Sequence, residues 1–143
     1  MGMPARDYAR LDERPGDRAL PDRPPNVSRF VGWWINTDRG TSGGILRLAI
    51  TERHRNLLVR AYGAGAPKPY DWGEARATPL APDVSGGPAW AFHAHFDFGF
   101  LGTLLSAYYR AGVLSVTSYN TFVDGSGRAD YWTREFFYRE GVK

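Results

Sequence analysis

The stretch Phe30-Val31-Gly32-Trp33-Trp34-Ile35-Asn36 has the composition of a β-strand. It holds β-branched and aromatic residues, no proline, and one glycine where another side chain can approach the backbone. The polar stretch 37–44, rich in Gly, Thr and Ser, follows it and predicts a reversal of the chain. Because side chains alternate across a strand, Gly32, Trp34 and Asn36 are expected on one face. We therefore interpret the stretch as the first strand of an antiparallel sheet.

Seven further segments of similar length follow, each bounded by turn signals. Their short connections favour an up-and-down meander, and closure of the sheet would remove its exposed edges. The sequence thus predicts an all-β fold, a single antiparallel up-and-down β-barrel of about eight strands, built from residues 29–143. The prolines between 79 and 88 predict a loop there. The predicted strands after the first are Ile45–Ile50, Leu57–Gly63, Tyr70–Thr78, Ala89–Phe98, Thr103–Tyr109, Val113–Val123 and Tyr131–Arg139.

Residues 1–28 differ in composition from the rest of the chain. They are rich in Arg, Asp and Pro and hold few apolar side chains, so they bury too little surface to offset the entropy of ordering. The prediction is a flexible N-terminal tail. The alternative is an arm or lid that folds over the barrel mouth or over a partner subunit.

Composition narrows the function classes. The chain has no cysteine, which excludes disulfides, thiolate nucleophiles and cysteine-based metal sites. A net charge of +3 without a basic cluster argues against nucleic-acid binding. There is no apolar run long enough for a transmembrane helix and no signal-peptide pattern, so no membrane partner is predicted and the expected compartment is the cytoplasm.

The most metal-like feature is His93-x-His95-x-Asp97, because alternation aims the three side chains the same way. The opposite face of that strand is strongly apolar and is expected to line the interior, which would place the row in solvent. We therefore predict no metal, and no cofactor is predicted either. Carboxylates for acid–base chemistry are present, but no sequence pattern brings two of them together. They are Asp71, Glu74, Asp97, Asp130 and Glu135.

Aromatic residues make up 15% of the chain, which indicates an aromatic core or an aromatic-lined pocket. Alternation groups Trp90 with Phe92 on the fifth strand, and Trp132 with Arg134 and Phe136 on the eighth. These groups are expected to point into the barrel. A barrel of eight strands is either filled by side chains or wide enough for one small ligand, and both interpretations stay open. For the second, the predicted ligand-binding residues are Trp34, Asn36, Tyr62, Trp72, Trp90, Phe92, Tyr119, Trp132, Arg134 and Phe136, and Asn120 is a further polar candidate.

Two strands have faces that the pattern alone does not assign. In the fourth strand, Trp72 alternates with small residues at 73, 75 and 77, and either row could line the interior. The sixth strand is apolar on both faces, with Leu104 beside Leu105 and Tyr108 beside Tyr109. An apolar outer face on this strand predicts a homodimer or a larger assembly.

The motif Gly32-x-Trp34-x-Asn36 resembles the first strand of the calycin group, which includes the lipocalins and avidins. The resemblance implies that Trp34 plugs the barrel floor, that Asn36 reaches a ligand, and that a basic residue of the last strand, Arg134 or Arg139, packs across the tryptophan. It covers about seven residues and the strand count. No counterpart of the late Trp and Asp of the avidin biotin site is found, so biotin is not the expected ligand.

Two functions are compatible with these features. The first is a binding module that holds a hydrophobic or aromatic small molecule in the lumen. The second is a cofactor-free cyclase or isomerase that folds a polyene-type substrate into a reactive conformer, by analogy of architecture with small bacterial barrels of natural-product pathways. A third, a purely structural or oligomerising barrel, rests on the two-sided sixth strand.

Overall fold

The computed structural model describes residues 5–13 and 25–141. A one-turn 3-10 helix, Ser28–Phe30, precedes eight antiparallel strands that close into a barrel in chain order. The β1–β8 pairing closes it, and the predicted fold class is therefore confirmed. The strands are β1 Gly32–Asn36, β2 Ile45–Arg53, β3 Asn56–Gly63, β4 Tyr70–Leu80, β5 Ala91–Asp97, β6 Leu101–Arg110, β7 Val113–Phe122 and β8 Tyr131–Arg139.

The 3-10 helix seals one end of the barrel, which we call the closed end. Buried Trp34 donates a hydrogen bond from its Nε1 to the carbonyl of Phe30 at 2.8 Å. The Arg139 guanidinium lies over the Trp34 ring, 4.9 Å from its centroid, and also donates to the carbonyl of Arg29. Gly32 has a φ of +135°, a backbone conformation that other residues rarely adopt, and the Arg139 side chain packs against this position. Arg139, rather than Arg134, is therefore the basic residue that packs across the tryptophan.

Side chains fill the half of the barrel next to this end. The rings of Phe30 and Phe92 meet edge to face with centroids 5.2 Å apart, and Tyr109 meets both Phe30 and Trp34 in the same manner. Aliphatic residues from four strands complete the layer and are fully buried. They are Leu48, Ile50, Val59, Leu105, Leu114 and Val116, joined by Phe137.

The faces of β8 are the reverse of the prediction. Phe137 is buried and Thr133 and Glu135 are half-buried, whereas Trp132 and Phe136 are exposed to 65% and 46%. The pairing with β1 sets this register, because Trp34 opposes Arg139 and a shift of one residue would exchange the two faces of the strand.

A bulge resolves the ambiguity of β4. The register with β3 shifts near position 72, and Gly73 adopts a positive φ of 86°. Through this irregularity Trp72, Ala75 and Ala77 all pack against the core, although strict alternation puts Trp72 on the other face. Glu74 stays outside and is ion-paired to Arg53 at 2.7 Å.

Element bounds differ from the predictions by up to three residues, and the largest difference is at β2, which ends at Arg53 instead of Ile50. β4 runs on through Pro79 to Leu80, a position near the strand end where the missing N–H of proline is tolerated. β5 starts at Ala91, two residues later than predicted.

Residues 5–13 and 25–28, which the sequence assigns to the tail, make contacts with the rest of the chain. Val27 is buried, and the carbonyl of Asn26 accepts a hydrogen bond from the Ala89 amide. The Asp7 amide donates to the Asp83 carboxylate at 3.1 Å, and the Val84 amide donates to the Asp7 carbonyl at 2.9 Å. The rest of the predicted tail, 1–4 and 14–24, lies outside the described residues. Within the described ranges, no helix has the length and apolar character needed to cross a membrane.

Candidate functional site

The opposite half of the barrel holds a cavity of about 470 Å³ that opens between the loops following β1, β3, β5 and β7. We call this end the open end. The volume falls in the range of small-molecule sites. Residues from both regular strands and mouth loops line the cavity. They are Gly43, Gly44, Ile45, Tyr70, Asp71, Trp72, Phe98, Phe100, Leu101, Thr103, Ser118, Asn120, Tyr131, Thr133 and Glu135.

One wall of the cavity is aromatic. Trp72 meets Phe96 and Phe98 edge to face at centroid distances of 5.5 and 5.2 Å, and the two phenylalanine rings lie nearly parallel 6.3 Å apart. Gly63 makes this arrangement possible, because a Cβ there would lie 2.7 Å from Trp72 Nε1. Trp72 of β4 and Phe98, which follows β5, line the cavity, and Phe96 packs behind them.

The wall formed by β7 and β8 is polar. Ser118 and Thr133 are cross-strand partners whose hydroxyls share a short hydrogen bond. Asn120 donates to Ser118 Oγ at 3.0 Å and accepts from Thr103 Oγ1 at 2.8 Å. Because β4 and β8 lie four strands apart in a ring of eight, the polar and aromatic walls face each other across the cavity.

The polar wall also carries the carboxylate of Glu135. Its Oε2 accepts a hydrogen bond from Asn36 Nδ2 at 2.6 Å, and its Oε1 accepts one from the Ile45 amide at 3.2 Å. Gly44 leaves space for the carboxylate, since a Cβ at position 44 would lie 2.9 Å from Glu135 Cδ and closer still to Oε2. β1, β2 and β8 together therefore fix the position of one acidic group inside the cavity.

The rim after β7 is held by a local charge network. Arg128 pairs with the Asp124 carboxylate at 2.8 Å, and its guanidinium lies over the Phe122 ring, 4.2 Å from the centroid. The hydroxyl and the amide of Ser126 hold the pKa of Asp124 below its ordinary value, and Arg128 adds to this effect. The loop 123–130 is thereby tied to the aromatic residues beside the mouth.

The residues predicted to bind a ligand fall into three groups. Trp34, Phe92 and Asn36 point inward and are buried, as predicted. Of the ten, Trp72 is the one that lines the cavity. The predicted inward orientation is wrong for the remaining six, which lie on the outer surface or at the closed end; they are Tyr62, Trp90, Tyr119, Trp132, Arg134 and Phe136.

Contacts on the outside explain these positions. Tyr62 stacks on Trp33 with centroids 5.9 Å apart, and both rings lie near the guanidinium of Arg47. Trp90 precedes β5 at the closed end, where Arg29 lies 4.4 Å from its ring centroid. An exposed aromatic ring gains apolar and cation–π contacts in such positions without entering the core.

Asn36 has a different environment from the one the resemblance implied. Both of its Nδ2 hydrogens are used, by Glu135 and by the Ile45 carbonyl at 2.7 Å, and its Oδ1 accepts from the Asp38 amide at 2.8 Å. Asn36 therefore orients Glu135 and the β1–β2 connection, and it is Glu135 that lines the cavity.

Sequence reasoning missed most of the polar wall. The sequence identifies Glu135 only as one of five scattered carboxylates, and it assigns no role to Ser118 or Thr133. On β8, the expectation that Trp132 and Phe136 point inward places Thr133 and Glu135 on the outer face. The cavity also brings together two carboxylates, Asp71 and Glu135, that no sequence pattern connected. The signal that could have found them is Gly44, which stands next to β2 in a position where only glycine clears a neighbouring side chain.

His93, His95 and Asp97 lie on the outer face of β5 and are exposed, as predicted. In the described ranges, no three His, Cys, Asp or Glu side chains are grouped closely enough to hold a metal ion.

Comparison with known proteins finds no family, no curated protein and no solved structure that matches the chain.

Proposed function

We propose that this protein is a small-molecule-binding β-barrel that holds a hydrophobic or aromatic ligand in the cavity at its open end. The observation that carries the proposal is the division of the interior into a filled half and an open half. Phe30, Trp34 and Phe92 close the floor, while the 470 Å³ above it is lined by apolar rings and a few converging polar groups. Ligand sites have this composition.

The architecture supports a calycin-like assignment on specific contacts. The Trp34 floor and the Arg139 guanidinium across it agree with what the Gly32-x-Trp34 motif implies. We assign the fold to the calycin-like barrels on these contacts, and the cytoplasm remains the expected compartment.

Titration with Nile red, a neutral dye whose emission rises in apolar surroundings, tests the proposal. The unmodified protein should bind about one dye per chain. Trp72→Ala removes one side chain of the aromatic wall and should weaken binding about three- to ten-fold, as expected for the loss of one aromatic contact. Trp90→Ala removes the same side chain at the closed end and should leave binding unchanged. Absence of dye uptake by the unmodified protein, or equal weakening by both variants, would refute the proposal.

A second candidate function is a cofactor-free cyclase or isomerase acting on a polyene-type substrate. It is favoured by one observation, the Glu135 carboxylate inside the cavity, where a general acid–base group would have to stand. Product formation from a polyene that disappears in Glu135→Gln, while Nile red binding is retained, would support catalysis over simple binding.

A further inference from the structure

The charge inside the cavity is unbalanced. Among its described lining residues there are two carboxylates, Asp71 and Glu135, and no Lys, Arg or His. Asp71 is neutralised at the rim by Arg60, whose Nη1 lies 2.7 Å from its Oδ2. Glu135 has no ion pair within the described part of the chain, so one negative charge faces the cavity without a cation.

The hydrogen bonding of Glu135 leaves room for a donor. A carboxylate offers about four acceptor positions, and the protein supplies two donors, Asn36 Nδ2 and the Ile45 amide. These two bonds hold the carboxylate in place. The remaining acceptor positions belong to a residue that lines the cavity.

We propose that the ligand of this cavity is a flat apolar molecule that carries a cationic amine, and that Glu135 receives the amine. The inference rests on the proposed function and adds the chemical class of the ligand. An ammonium group is both the missing cation and a donor of several hydrogen bonds, and a bond between ionised partners is about twice as strong as a neutral one.

The two walls give this ligand its orientation and length. The apolar part lies against Trp72 and Phe98, and the amine points toward β8 on the opposite side of the barrel. Glu135 is on β8, four strands away from Trp72 on β4 in the ring of eight. A ligand whose ring system and amine are separated by the width of the cavity therefore matches the two walls.

Three probes that share a naphthalene ring test the charge preference by isothermal titration calorimetry at neutral pH. Naphthylmethylamine is cationic, naphthylmethanol is neutral and naphthoate is anionic. We expect the amine to bind on the order of ten-fold more tightly than the alcohol, and naphthoate to bind most weakly. This comparison uses the unmodified protein and does not depend on whether any variant folds.

Variants then assign the preference to one residue. Glu135→Gln should lower the affinity for the amine on the order of ten-fold and change that for naphthylmethanol by less than about three-fold. Glu52→Gln removes the same charge from an exposed position on β2, and should leave the affinities for all three probes unchanged.

The outcomes separate this proposal from the proposed function. If naphthoate binds as tightly as the amine, or if the preference for the amine survives in Glu135→Gln, the inference is wrong even though the cavity binds ligands. If none of the three probes binds, the inference is also wrong, and the Nile red titration then decides whether the cavity binds any apolar molecule.

Discussion

Replacement of Gly44 by alanine should destabilise the protein by breaking the anchorage of Glu135. The new Cβ would lie 2.9 Å from Glu135 Cδ and 2.8 Å from Thr41 Oγ1, and closer to Glu135 Oε2, where van der Waals contact needs about 3.5 Å. The carboxylate would have to withdraw by about an ångström, which breaks the 2.6 Å bond from Asn36.

The magnitude follows from two opposing terms. Loss of a hydrogen bond to a charged group costs about 1.5–3 kcal/mol. Replacing glycine by alanine reduces the entropy of the unfolded chain and stabilises by about 0.4–1 kcal/mol. We expect a net loss of about 1–2 kcal/mol in the free energy of unfolding, or a fall in Tm of about 3–8 °C for a chain of this size.

Urea denaturation and thermal melting monitored by circular dichroism measure this difference. The matched control is Gly43→Ala, because a Cβ at the neighbouring position meets nothing within 4 Å, and its stability should be unchanged or slightly raised. A double-mutant cycle with Glu135→Ala adds a second test, since without the carboxylate the Gly44→Ala change should cost little. Unfolding free energies of Gly44→Ala and Gly43→Ala within about 0.5 kcal/mol of each other would refute the reasoning.

Three other predictions address the floor, the N-terminal contact and the outer surface. Trp34→Ala should lower the free energy of unfolding, measured by urea denaturation, by about 3–5 kcal/mol because it leaves a cavity at a buried site. Trp33→Ala, on the exposed face of the same strand, should lower it much less. Equal losses would contradict the assignment of Trp34 as the floor. The Asp7 amide, followed by the amide of Ser85, holds the pKa of Asp83 below its ordinary value. The bond from the Asp7 amide to the Asp83 carboxylate is therefore fully formed above the ordinary pKa of an aspartate, and it is lost as the pH falls below about 4 and the carboxylate takes up a proton. NMR titration of the Val84 amide should follow this change, and an identical titration in Asp83→Asn would contradict it. Finally, light scattering should give at least twice the 16.0 kDa mass of one chain, because Leu104, Tyr119 and Trp132 form an exposed apolar row across β6, β7 and β8. A monomer, or an assembly that Tyr119→Glu leaves intact, would contradict this prediction.

The sequence by itself determined the barrel and the faces of its most regular strands. Period-two alternation is unambiguous where one row is apolar and the other polar, as in β5 with Phe92 and Phe96 opposite His93 and His95. In β5 the hydrophobic effect alone selects which row faces inward, so no knowledge of the neighbours is needed. β1 differs, because its outer residues Trp33 and Ile35 are also apolar; there the Gly32-x-Trp34-x-Asn36 motif, and not the contrast between the two rows, predicts that Trp34 is buried.

The tertiary structure decided which end of the barrel is open and which side chains reach the cavity. The bulge at Gly73 that turns Trp72 inward depends on the register with β3, and the inward aim of Glu135 depends on the pairing of β8 with β1. Local sequence contains neither of these long-range pairings. Alternation also predicts the wrong inward face for β8. The inner row of this strand borders an open cavity and can be polar, whereas its outer row carries the large aromatic residues Trp132 and Phe136. A rule that places apolar residues inside holds for a packed core, and it fails where the interior contains an open cavity.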